Sequence, residues 1–140
     1  MNIKIIPVQI ALLICISSFS FAANTNAIEH KTAPSGVVYV EGGISDEQSQ
    51  QFETLKNQFN TRFTFAEHGS GAYLAGIKVV IENSANQTVL NTLVPGPFLY
   101  AKLPVAHYIA NVTDENQTQR FKFKISAGQK IVHVFYFKQP

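Results

Sequence analysis

"GPFLYAKLPVAHYIANV", residues 96–112, decides how the chain is read. Two runs rich in aromatic and β-branched residues, FLYAKL (98–103) and HYIANVT (107–113), meet at LPVA. That combination predicts two strands folded back on each other over a turn at Leu103-Pro104.

The same alternation continues on both sides. Downstream, DENQ (114–117) is a turn into TQRFKFKIS (118–126), where Phe121, Phe123 and Ile125 share one face and Arg120, Lys122 and Lys124 the other. AGQK then leads to IVHVFYF (131–137). Upstream, VVYVE (37–41), TRFTFA (61–66), IKVVIEN (77–83) and TVLNTLV (88–94) are separated by glycine-rich or polar links. Short strands recurring about every 8–12 residues predict a mainly β protein, an antiparallel sandwich of about seven strands. IVHVFYF is apolar on both faces, so it is expected to be central in its sheet or covered.

One segment changes period. In ISDEQSQQFETLKNQFN, Phe52, Leu55 and Phe59 fall at helical spacing, predicting an amphipathic helix over 45–59. Ser45 and Gln48 form a capping box, and Asp46 and Glu47 place negative charge at the positive end of the helix dipole. The stripe needs a sheet face, and the last strand is the expected one.

The N-terminal residues read as an export signal. Lys4 precedes the apolar run IIPVQIALLICISSF, which ends in small residues, so cleavage is expected after Ala22. The run falls short of the roughly 20 apolar residues of a membrane span. Cys15 follows Ile14 in mid-run, a poor context for lipidation, and no other cysteine is present. The expected organisation is a signal peptide at 1–22, a loose polar leader at 23–36 and one domain at 37–140 with no disulfide, in a periplasmic or secreted location.

Charge is unevenly placed. Between Ala23 and Glu67, Glu29, Glu41, Asp46, Glu47, Glu53 and Glu67 outweigh Lys31, Lys56 and Arg62. From His68 onward Lys78, Lys102, Arg120, Lys122, Lys124, Lys130 and Lys138 outweigh Glu82, Asp114 and Glu115. The balance is too small to draw the protein onto nucleic acid, which is excluded as an expected partner.

The motifs GAYLAGIKVVIEN (71–83) and GPFLYAKLPVAHYIANV, followed by a closing pair of strands, resemble the carboxypeptidase regulatory-like domains, small sandwiches of prealbumin (transthyretin-like) type. Gly96 and Phe98 match the family's Gly-x-Phe/Leu element, and Leu103, Pro104 and Tyr108 its Leu-Pro-x-Gly-x-Tyr turn, with Ala106 in place of the turn's glycine and Asn116 where another glycine often stands. With GGISDE (42–47) and FTFAEHGSGAYLA (63–75), the likeness extends to short exported bacterial proteins that carry this domain behind one helix. It implies a non-catalytic binding or interaction module. Some transthyretin-like proteins hydrolyse a purine derivative with paired histidines, an arginine and a Tyr-Arg-Gly-Ser ending. This chain ends FYFKQP instead.

Candidate chemistry is sparse. His30, His68, His107 and His133 show no metal-binding spacing, and HGSGAY gives Ser70 only His68 two residues away as a base, without a third orienting group. No catalytic, metal or cofactor residue is assigned. A small hydrolase or ligand-binding protein built on the histidines would need them to converge. The row Arg120, Lys122, Lys124 is the candidate partner surface, for an envelope protein or an anionic polymer. The same row also reads as a solvated face that blocks edge pairing.

Overall fold

The computed structural model describes residues 27–140. The expected signal peptide and its cleavage point lie outside these. Among the described residues, no helix is long and apolar enough to cross a membrane.

Among the described residues, nine strands and one α-helix follow one another: β1 (Lys31–Thr32), β2 (Val38–Gly42), helix α1 (Asp46–Leu55), β3 (Thr61–Glu67), β4 (Ile77–Asn83), β5 (Thr88–Val94), β6 (Phe98–Ala101), β7 (Ala106–Asp114), β8 (Gln117–Ile125) and β9 (Ile131–Phe137). They form two sheets, A in the order β1-β2-β6-β3-β9 and B in the order β5-β4-β7-β8. Every pairing is antiparallel except β3 with β9, which is parallel. The mainly β sandwich with one helix is therefore as expected. The strand count is higher because the leader itself pairs: Lys31 and Thr32 lie against Tyr39 and Val38, and Ala33 and Val37 join the core.

Alternation sorts the side chains. Phe63, Phe65, Ile77, Val79, Ile81, Leu99, Val112, Ile125, Phe135 and Phe137 fill the space between the sheets, each at most 1% exposed. Glu41 on β2 ties the layers together, accepting from Lys31 Nζ at 2.8 Å and from Thr92 Oγ1 of β5 at 2.6 Å.

The Leu-Pro stretch is not a hairpin. β6 pairs with β2 and β3 in sheet A, whereas β7 pairs with β4 and β8 in sheet B, so Leu103-Pro104 carries the chain across the sandwich. Asn60, 43 residues earlier, holds the crossing with its side-chain amide: Nδ2 donates to the Leu103 carbonyl at 2.7 Å and Oδ1 accepts from the Leu103 N–H at 3.0 Å. The Tyr108 hydroxyl donates to the Pro104 carbonyl at 2.6 Å, pinning the far side. Ala106 begins β7 and is not among the positive-φ residues, so its backbone is unstrained there. In the next turn Glu115, and not Asn116, takes the left-handed conformation, at φ 49°.

The helix runs over 46–55, and a 3-10 turn, Lys56–Gln58, completes the predicted span. Ser45 Oγ accepts from the Gln48 N–H at 3.2 Å, as a capping residue should. The return bond of the box goes elsewhere: Gln48 Oε1 accepts from the Gly43 N–H at 3.1 Å. Phe52 and Phe59 pack on Val40 of β2 and Tyr100 of β6, away from the inter-sheet core.

The helix does not cover the last strand, as the sequence led us to expect. β9 is an edge strand, and on its outer face Val132 and Tyr136 are 60% and 50% exposed. Its edge is partly closed by side chains of β8. Gln119 Nε2 donates to the Tyr136 carbonyl at 2.6 Å, and Gln117 exchanges two bonds with the backbone of Lys138.

Candidate functional site: a basic edge on sheet B

The two-residue turn Glu115–Asn116 sets the register of β7 and β8 and hence the site. Arg120 lies opposite Asn111, Lys122 opposite Ile109 and Lys124 opposite His107. Phe123 and Ile125 are buried and Phe121 partly so, while Arg120, Lys122 and Lys124 are exposed, all three on the outer face as expected. Consecutive members of such a row stand about 6.5–7 Å apart.

His107, Ile109, Lys122 and Lys124 share a shallow concavity of about 420 Å³ with Asn83 and Ser84 of the β4–β5 turn. Arg120 extends the basic row beyond it. The one carboxylate that β4, β7 and β8 place on this face is Glu82, opposite Ile109. The ion pairs Lys31–Glu41 and Lys56–Glu53 lie elsewhere, and among the described residues no carboxylate is paired with Arg120, Lys122 or Lys124. Three cations, with an imidazole beside them and an apolar floor at Ile109, make a surface suited to an anionic partner.

The histidines lie apart. His30 is beside Phe59 at 5.8 Å, His68 begins the link after β3, and His107 is on the outer face of sheet B. His133 points into the sandwich, stacked on Phe121 at 4.0 Å. Among the described residues no group of three metal-ligating side chains is assembled. Ser70 Oγ donates to Glu67 Oε2 at 2.9 Å and accepts from the Ala72 N–H at 3.1 Å, bonds that shape the turn after β3.

Burial among aromatic rings pushes the His133 imidazole below its ordinary value of 6.5. The folded state therefore resists a proton that the unfolded chain accepts, so stability is full above about pH 6.5 and declines as pH falls through the lowered folded value. Urea midpoints at pH 7.5 and 5.5 should differ more for the natural protein than for His133→Phe. Equal differences would remove His133 as a source of acid sensitivity.

Compared with known protein families, curated proteins and solved structures, the chain matches none.

Proposed function

We propose that this protein is an exported, non-catalytic binding module of the bacterial envelope whose basic β8 face engages an anionic partner. One observation carries the reading: Arg120, Lys122 and Lys124 stand exposed in a single row beside His107, without an ion-pair partner among the described residues. The resemblance of GAYLAGIKVVIEN and GPFLYAKLPVAHYIANV to carboxypeptidase regulatory-like domains supports a module of this kind. A hydrolase built on the histidines draws no support from their separate positions.

The test uses soluble polyglutamate as the probe. Exposed charge pairs contribute up to about 1 kcal/mol each, so changing Arg120, Lys122 and Lys124 together to Gln should weaken binding by about tenfold to a hundredfold. The melting temperature should hold, because the three side chains contribute little to the core. Raising salt to about 1 M, where screening shortens to about 3 Å, should weaken binding of the natural protein likewise. Full binding by the triple variant, or none by the natural protein, would defeat the reading.

A further inference from the structure

We propose that β8 accepts an extended acidic polypeptide segment as a fifth strand of sheet B. This rests on the anionic-partner reading and adds the chemistry of the partner.

Backbone parity supplies the first argument. In a two-residue hairpin the residues flanking the turn, here Asp114 and Gln117, form a hydrogen-bonded pair, and the pattern then alternates. Thr113 and Thr118 fall on a closer, non-bonded pair, in keeping with their hydroxyl contact at 2.9 Å. Odd-numbered residues of β8 thus bond to β7, while Thr118, Arg120, Lys122 and Lys124 turn their N–H and C=O groups to the open edge. The residues that display charge are also those that offer backbone bonds.

The other sheet edges are shorter or occupied. β1 has two residues. The β5 edge is met by Ser35, whose hydroxyl donates to the Val89 carbonyl, and by the Thr92–Glu41 bond. The β9 edge is closed at one end by Gln117 and Gln119. Among the described residues nothing bonds to the edge-facing backbone of Arg120, Lys122 or Lys124.

Charge selects the occupant. A second copy of β8 would set like charges opposite one another, which destabilises a strand pair, whereas alternate acidic side chains would meet Arg120, Lys122 and Lys124 on the outer face. The intervening side chains of the added strand would turn to the seam between β8 and β9. There Phe121, His133 and Ile131 are only partly buried, so those positions call for apolar residues. A polyanion without a peptide backbone satisfies the charges but neither the edge nor the seam.

The probe is an octapeptide alternating glutamate with valine, added to the full chain while amide hydrogen exchange is followed residue by residue. At free peptide near ten times its Kd, exchange at Arg120, Lys122 and Lys124 should slow by about tenfold, since protection tracks one plus the ratio of ligand to Kd. Methylating the peptide nitrogens that face β8 should abolish this protection. Peptide that binds without slowing those amides, or methylated peptide that binds as well, would overturn strand addition while leaving charge recognition intact. Inorganic polyphosphate binding at the row while the peptide fails would assign the surface to an anionic polymer instead. Protection persisting in the triple Gln variant would overturn the charge reading itself.

Discussion

Gly96→Ala should lower the melting temperature by roughly 10 °C, the cost of overpacking about 2–3 kcal/mol into a domain of this size. A Cβ at residue 96 would lie 2.4 Å from the Gly42 carbonyl oxygen, 2.5 Å from its carbon and 2.9 Å from its Cα. These are backbone atoms, so no rotamer change relieves the contact and β2 must move. Gly42 ends β2 opposite Phe98, the first residue of β6, so the displacement falls on the pairing that joins the two strands. Those strands also carry Val40 and Tyr100, the platform beneath the helix, which loosens with them. Gly128→Ala is the comparison: its φ of +73° disfavours alanine, but a Cβ there meets nothing within 4 Å. It should cost only the left-handed backbone penalty of about 1–2 kcal/mol. Gly96 itself has no positive φ, so a loss no larger than that of Gly128→Ala would mean that β2 yields to the added Cβ at little cost.

Most strands could be read because alternation reports which side chains leave water, and it did so for Phe121, Phe123, Ile125 and their basic neighbours. Alternation does not report which strand lies alongside. Residues 98–112 have the pattern of a hairpin, yet the pairing of β6 depends on groups distant in sequence: the close approach of Gly96 to Gly42 and the amide of Asn60 at Leu103. β9 misled for a related reason. Its two apolar faces resemble those of a central strand, but it pairs in parallel with β3 at the sheet margin, and the helix covers the opposite part of sheet A. The basic row was legible from period alone. His107, considered only among the histidines, was not connected with the row, although counting back from a two-residue turn at Glu115–Asn116 places it opposite Lys124. Which residue of that turn would take positive φ was not legible, since the turn could be placed without its local geometry.

Phe52→Asp should destabilise the protein by about 4 kcal/mol, because it removes a buried aromatic and puts a carboxylate in its place. Phe52 is 1% exposed, edge-on to Tyr100 at 4.9 Å and tilted against Phe98 at 5.2 Å. The cluster around Phe52 is formed by Val40, Phe59, Tyr100 and the partly buried Ile28, Val38, Leu55 and Phe98, so an aspartate there is set among apolar side chains. The cheapest escape is for the helix to lift off, exposing Val40 and Tyr100 on the outer face of sheet A. That surface should bind ANS, and the small helical signal in circular dichroism should fall with it. The loss is bounded because Phe63, Phe65 and Phe135 belong to the separate core between the sheets, which the helix does not line. Strand signal should therefore outlast helix signal on heating, a separation absent from the natural protein. Glu53→Gln, on the exposed side of the same helix, should leave the melting temperature unchanged. An unchanged melting temperature for Phe52→Asp, without ANS binding, would mean that the helix does not dock on β2 and β6.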